Sequence, residues 1–149
     1  GDGVKEYISM CVMADEIQSI WEPFPGDRFY LPRPLFLSGD KLTIYKTKKK
    51  VYNSGLYFFG CGDNLLDKFV ISYKGVFSYH IPNQEDIQNL LLKKIQDYST
   101  VRELFTDFVQ FVFKEKQILR YDLTSLWLMF YYFRCYNKEW NGDDWVKEE

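Results

Sequence analysis

The sequence predicts an α+β fold, with a helical start, a region of short strands, and a helical second half. Apolar residues recur every three or four positions over residues 3–21 and again over 83–140. Over residues 28–80 the apolar runs are short, aromatic and interrupted by turn-forming residues. We therefore expect one domain, 1–149. It would comprise an N-terminal helix, a small antiparallel sheet or barrel, three helices packed on the sheet, and a polar tail, 141–149.

The first helix is predicted by apolar spacing and by the proline that follows it. The periodic apolar positions are Val4, Tyr7, Ile8, Cys11, Ala14, Ile17 and Trp21. A proline disfavours helical geometry in the residue before it, so Pro23 should end the helix.

The strand region, 28–80, predicts four to six short antiparallel strands. Parallel strands need a crossover of a dozen or more residues, and no helical pattern separates these runs. The last run, Phe69 to Tyr79, is assigned to strand. Gly60-Cys61-Gly62-Asp63 is assigned to a turn.

Three capping residues divide the helical region. Asn83 can cap the first helix, Thr100 with Glu103 has capping-box spacing for the second, and Asp122 can cap the third. Asn141-Gly142 should end the third helix, leaving a polar tail that Trp145 and Val146 hold against the fold.

Composition excludes several classes of protein. The net charge of -2 creates no global field that would recruit a partner of one sign. The longest fully apolar run, Leu126 to Phe133, is eight residues, whereas spanning a bilayer takes about 20. The N-terminus lacks the basic stretch followed by an apolar stretch that is typical of a signal peptide, so we expect none. We expect a cytoplasmic protein with no membrane contact, whose cysteines Cys11, Cys61 and Cys135 are reduced and mostly buried.

Enzymatic chemistry finds little support in the residue pattern. A catalytic thiolate needs a nearby base, and Cys61 is followed by the chain's one histidine, His80, 19 positions later. We prefer a hairpin loop at Cys61 and a structural role for His80. No catalytic residue, cofactor or metal site is predicted, although an enzyme centred on Cys61 or a carboxylate is kept as an alternative.

The sharpest charge feature is a run of lysines without an acid. On a β-ribbon, lysines beside exposed aromatic rings can follow a phosphate backbone and stack bases. Lysines also keep sheet edges from pairing with other chains, and we favour that explanation. The candidate nucleic-acid residues are Lys46, Lys48, Lys49, Lys50, Tyr45 and Tyr52, with Lys41 preceding them.

The last helix is too widely apolar for a one-sided surface helix. Seven aromatic side chains fall within Asp122 to Trp140. Either two layers of structure cover this helix, or one of its faces is reserved for a protein partner or for self-association. We favour burial, and name Tyr131, Tyr132, Trp140 and Trp145 as the candidate partner-binding residues.

Four scattered stretches carry a resemblance to a known group. They are Tyr7-Ile8-x-Met10-Cys11-x-x-Ala14-x-Glu16-Ile17-Gln18 with Trp21-x-Pro23-x-x-Gly26-Asp27, then Ile81-Pro82-x-Gln84-x-x-Ile87-Gln88, Ser125-Leu126-Trp127-Leu128, and Tyr136-Asn137-Lys138-x-Trp140-x-Gly142-x-x-Trp145. Together they cover about half the chain and resemble small uncharacterised proteins encoded in phages and prophages of Gram-positive bacteria. The resemblance implies an accessory protein in the host cytoplasm and carries over no catalytic or binding residue. We expect a non-enzymatic protein-interaction module; the alternative is a nucleic-acid-binding module using residues 41–52.

Overall fold

The chain contains helices and several small antiparallel sheets, which confirms the α+β class. The structure is a computed structural model that describes residues 2–38, 49–95, 99–114 and 120–148. The chain forms two compact units. Unit 1 comprises Gly1–Met13 and Pro82–Glu149, and unit 2 comprises Ala14–Ile81.

Unit 2 is built on an open three-stranded sheet. The central strand β1 (Arg28–Leu31) pairs antiparallel with β4 (Gly55–Phe58) on one side and with β5 (Tyr79–His80) on the other. A separate antiparallel pair joins β2 (Leu35–Ser38) to β3 (Lys49–Tyr52). The sequence predicts either a small antiparallel sheet or a barrel, and the described strands form open sheets.

The predicted helix over 3–21 is two helices. Helix α1 (Asp2–Val12) belongs to unit 1 and α2 (Asp15–Ile20) to unit 2. At Ala14 the backbone leaves the helical region, with φ -86° and ψ 71°. Two acidic residues, Asp15 and Glu16, occupy the first turn of α2, where negative charge stabilises a helix start. The helical spacing of apolar residues continues across Ala14, so the sequence pattern gives no sign of the break.

The predicted strand over 69–79 is largely wrong, because its first part lies in a helix. Helix α3 runs from Asn64–Tyr73, and Asp63 caps it by accepting a hydrogen bond from the Leu66 amide at 3.1 Å. Leu66 and Val70 are buried four positions apart on one helical face. Only Tyr79 and His80 of this run pair as a strand.

The core of unit 2 lies against β1, whose residues alternate between half-buried and buried. Phe29 and Leu31 point inward from β1, and Leu66 and Val70 meet them from α3. Burying each such side chain contributes about 1.5–3 kcal/mol. The buried set is Trp21, Phe29, Leu31, Tyr52, Phe59, Leu66 and Val70.

The three predicted C-terminal helices are present in unit 1. They are α4 (Gln84–Lys94), α5 (Val101–Lys114) and α6 (Leu123–Tyr136). The predicted caps are made: the Asp86 amide donates to Asn83 at 2.8 Å, Glu103 to the Thr100 hydroxyl at 3.2 Å, and Ser125 to Asp122 at 2.8 Å.

Helix α6 is the central helix of unit 1. Eight consecutive residues, Ser125 to Tyr132, are buried, so more than one layer covers the helix. On one side Trp127 stacks on Phe108 of α5 with ring centroids 3.7 Å apart. On another, Tyr132 stacks at 4.2 Å on Trp145.

The predicted polar tail is instead half of a β-hairpin. Helix α6 ends at Asn137, whose left-handed backbone (φ 53°, ψ 44°) turns the chain into β6 (Lys138–Trp140), and β6 pairs antiparallel with β7 (Trp145–Lys147). Asn141-Gly142 therefore forms the hairpin turn and not the end of the helix. Of the two residues expected to hold the tail, Trp145 is buried opposite Trp140 in the register, whereas Val146 is 46% exposed.

Candidate binding pocket

A cavity of about 130 Å³ lies in unit 1 among α5, α6 and the C-terminal hairpin. Its floor is apolar and its rim is charged or polar. The lining residues are Phe111, Met129, Phe133 and Trp140 on the floor, and Asp107, Gln110, Lys114, Lys138, Glu139 and Glu148 at the rim.

Two phenylalanines from neighbouring helices form the accessible part of the floor. Their ring centroids are 5.1 Å apart. Phe111 follows the buried Leu104 and Phe108 along the inner face of α5 and is itself only half-buried. Phe133 lies in the last turn of α6 and is 39% exposed. The floor is therefore an accessible continuation of the core of unit 1.

Trp140 reaches the pocket because the chain reverses directly after α6. The left-handed residue Asn137 places β6 back beside the helix that precedes it, and three consecutive residues of β6 line the cavity. Trp140 is buried, and its indole donates to the carboxylate of Glu6 at 3.3 Å.

The charges around the pocket balance among the residues that the structure describes. Its lining carries three carboxylates, Asp107, Glu139 and Glu148, and two ammonium groups, Lys114 and Lys138. Asp107 also pairs with the Arg134 guanidinium, N to O 3.1 Å, so three negative charges face three positive charges. A balanced rim over an apolar floor suits an uncharged group, because burying an unpaired charge is costly.

A shallow polar groove continues from the pocket along α5. The two share Asp107 and Gln110. The groove is lined by Thr100, Arg102, Glu103, Thr106, Asp107 and Gln110.

The four predicted partner-binding aromatics lie in the interior of unit 1. Tyr131 and Tyr132 are fully buried, and Trp140 and Trp145 are nearly so. Their rings contact one another: Tyr131 lies 5.6 Å from Tyr132, and Trp140 lies 5.3 Å from Trp145. These contacts favour the core alternative for α6, and only Trp140 lines the cavity.

Most of the candidate nucleic-acid residues lie outside the described residues. They are Tyr45, Lys46, Lys48 and the side chain of Lys49, together with the preceding Lys41. Two are described. Tyr52 is buried and donates its hydroxyl to Asp63 at 2.7 Å. Lys50 pairs with the same carboxylate at 3.1 Å. A buried tyrosine presents no face on which a base could stack, so Tyr52 does not fit the predicted role.

Asp63 joins these two side chains to the start of α3. Burial raises the pKa of Asp63, but hydrogen bonds from Tyr52, the Leu66 amide and Lys50 lower that pKa further than burial raises it. The pKa of Asp63 is therefore lowered overall. The pKa of Tyr52 is raised, first by burial and then by its bond to Asp63. The carboxylate beside Cys61 thus serves as a helix cap and an anchor for β3.

Cys61 contacts the backbone of Phe59, whereas His80 contacts Trp21 and Gln18. The ring of His80 stacks on Trp21, with 4.8 Å between the ring centroids. The backbone amide of His80 donates a hydrogen bond to the side-chain carbonyl of Gln18 at 2.7 Å. Cys61 is exposed, and its thiol lies 3.9 Å from the carbonyl oxygen of Phe59. These contacts fit the structural role expected for His80. Of the three free cysteines Cys11 alone is fully buried, so the expectation of mostly buried thiols is wrong.

Comparison with protein-family models, curated proteins and solved structures finds no match to this chain. None of the helices in the described part of the chain combines the length and the hydropathy that a membrane span requires. The chain is therefore characterised by its α+β fold and by the pocket of unit 1.

The sequence did not single out this pocket. Phe111 and Phe133 belong to different helices, and no local pattern in the sequence indicates that they meet. Their meeting depends on how α5 crosses α6, which no local pattern encodes. The one local signal was Asn137, a residue type that tolerates the left-handed conformation that returns β6 to the helix.

Proposed function

We propose that the chain is a phage or prophage accessory protein that acts in the host cytoplasm by binding another protein, without catalysing a reaction. The sequence resemblance supports the origin and the location. The pocket of unit 1 supports the binding role and is the observation that carries the proposal.

An apolar floor open to solvent is the property that an interaction site needs. Phe133 and Phe111 leave ring surface accessible inside a concavity, where a partner can displace water from both at once. Residues that dominate binding energy are typically aromatic and lie in such pockets, surrounded by a polar rim.

Helix α5 adds accessible apolar surface in the same unit. Val101, Phe105 and Val109 recur at four-residue intervals and are 56%, 40% and 44% exposed. Phe113, in the last turn, is 80% exposed. Apolar surface beyond the pocket would extend the area that a protein partner covers.

Site-specific photo-crosslinking tests the proposal. A photoreactive benzophenone amino acid replaces Gln110 at the pocket rim, and as a control replaces the exposed Ile71 of unit 2. In lysate of a Gram-positive host we expect a crosslinked protein from position 110 only. Phe133→Glu should abolish that product, whereas Phe24→Glu, at a position of unit 2 that is 71% exposed, should leave it unchanged.

Two results would overturn this proposal. One is an identical set of products from positions 110 and 71, which would mean unspecific contact. The other is a product that survives Phe133→Glu in a folded protein. Light scattering of the purified chain separates a different protein partner from self-association, since a second copy would double the mass.

A second candidate function, nucleic-acid binding, has one supporting observation. Phe36 of β2 is 65% exposed and lies opposite Val51 in the register of the β2–β3 pair, so the pair presents a ring to solvent. An exposed ring can stack a base. Titration of single-stranded and duplex DNA at rising salt tests this function. Binding that is absent at low salt, or insensitive to Lys50→Glu with Phe36→Ala, would reject it.

A further inference from the structure

We propose that the pocket receives a single aromatic side chain of the partner, carried by a short extended segment that lies along the polar groove of α5. This inference rests on the proposed binding function and specifies the chemistry that the partner presents. Three features of unit 1 lead to it: the size of the cavity, the chemistry of its floor, and the groove beside it.

The size of the cavity limits the occupant to one ring-sized group. Its volume is about 130 Å³. An engineered apolar cavity of about 150 Å³ binds benzene, whereas sites for drug-sized molecules measure about 300–1,000 Å³. One aromatic side chain fills the available space, and an entire amphipathic helix face does not fit.

The floor favours an aromatic group over an aliphatic one. Phe111 and Phe133 already pack at a tilt of 36°, an arrangement that a third ring can extend by an edge or offset contact. Met129 adds a polarisable sulfur, which makes favourable contacts with aromatic rings. The balanced rim provides no excess charge for a lysine, arginine or carboxylate side chain.

The groove indicates how the rest of the segment lies. It follows α5 from Thr100 to Gln110, ten residues and therefore about 15 Å at 1.5 Å per residue. An extended chain covers that distance in about four or five residues at about 3.3 Å each. Hydroxyl, amide and charged side chains line the groove, which suits the peptide backbone and small polar side chains.

Methionine NMR tests the aromatic preference in the unmodified protein. The chain has three methionines, of which Met129 lines the pocket and Met13 is 40% exposed elsewhere. With ¹³C-methyl-methionine labelling, N-acetyl-phenylalaninamide should shift the Met129 methyl signal in a saturable way and leave the Met13 signal unchanged. N-acetyl-lysinamide should leave both unchanged, and N-acetyl-leucinamide should bind at least threefold more weakly.

Peptides then test the segment. A fluorescent peptide Ser-Thr-Gly-Ser-Phe should bind at least tenfold more tightly than Ser-Thr-Gly-Ser-Ala by anisotropy. Phe133→Glu should remove that difference. Phe113→Glu should preserve it. If Phe133→Glu lowers the melting temperature strongly, Phe133→Leu is used in its place. The difference in affinity between the phenylalanine and alanine peptides should then become smaller without disappearing.

The outcomes separate this inference from the binding function itself. Equal affinity for phenylalanine, leucine and lysine amides, or no shift at Met129, overturns the aromatic anchor while crosslinking from position 110 still stands. Binding of the phenylalanine and alanine peptides with equal affinity overturns the extended segment with its anchor. Loss of the specific crosslink overturns the binding function, whatever the small amides do.

Discussion

Trp145, near the end of the chain, donates its indole N–H to the carbonyl oxygen of Met10, near the start, with 2.9 Å between the two atoms. The bond is buried and joins residues 135 positions apart. Met10 lies in the last turn of α1, where carbonyl groups lack a partner within the helix. One side chain therefore completes the end of the first helix and, by stacking on Tyr132, covers α6.

Replacement of Trp145 by phenylalanine should destabilise the protein by about 1–3 kcal/mol, because the Met10 carbonyl is left buried and unpaired. The matched control is Trp140→Phe, whose indole bonds to a carboxylate, Glu6, at 3.3 Å. That bond is only part-buried and water can replace it, so we expect a smaller cost than for Trp145→Phe. Urea unfolding followed by circular dichroism measures both. Equal costs would contradict the role assigned to the Met10 bond.

Asp63 should make the stability of unit 2 depend on pH in acid. Its pKa is lower in the folded protein than in the unfolded chain, so its contribution is complete above about pH 4 and is lost as the pH falls through the folded pKa. Asp63→Asn should cost about 1 kcal/mol at pH 7. The difference between the two proteins should shrink as the pH falls below about 4. A difference independent of pH would contradict this account.

Tyr52 should add a second pH dependence, in alkali. Burial raises its pKa, so its contribution is complete below about pH 10 and is lost as the pH rises through the folded pKa. Tyr52→Phe keeps the ring and removes both the titration and the bond to Asp63. We expect the stability of this variant to fall less steeply above pH 10, measured by unfolding at pH 8 to 11.

Gly60→Ala should be more damaging than Gly62→Ala, although both glycines have positive φ, +76° and +99°. A Cβ at Gly60 would lie 2.7 Å from the Cα of Pro25, while a Cβ at Gly62 meets nothing within 4 Å. Strain alone costs about 1–2 kcal/mol in both variants. The backbone overlap should add about 1–3 kcal/mol at Gly60.

Backbone hydrogen bonds of the preceding residue explain why Pro25 lies so close to Gly60. Phe59 bonds through its backbone to Gly26 and Asp27, each at 2.8 Å, which holds the Pro25 segment against the next residue, Gly60. Thermal unfolding of the two variants gives the comparison. Similar melting temperatures would mean that the two segments can separate without loss.

The three cysteines should react with a thiol reagent in a fixed order. Cys61 is exposed and should react within the mixing time at pH 8. Burial raises the pKa of the half-buried Cys135, so its reaction should be slower and should accelerate with rising pH. Cys11 is buried and should react only on unfolding. Absorbance of the released thiolate counts the fast and slow thiols, and Cys61→Ser should remove the fast phase alone.

The class of fold and the three C-terminal helices could be predicted because their signals are local. Asn83, Thr100 and Asp122 each cap the helix that they were expected to cap. Helix α3 had a local signal too, with Asp63 followed by Leu66 and Val70. It was missed because Phe69-Val70-Ile71 favours strand by propensity, and tertiary packing on β1 outweighed that preference.

The pocket and the hairpin could not be predicted because their partners are distant in sequence. The sequence indicates that Trp145 holds the tail against the fold, but not that its partners are Met10 and Tyr132. Phe111 and Phe133 likewise form a surface only after two helices cross.

Unit 1 is formed by two segments that are separated in the sequence by the whole of unit 2. A ribosome synthesises α1 before Trp145, and adds about 5–20 residues per second in between. Across the 135 positions that separate Met10 from Trp145, the first helix waits about 7 to 27 seconds for the group that completes its end. Unit 2, whose residues are continuous, has its whole sequence first. Co-translational folding should therefore begin in unit 2 and be completed in unit 1.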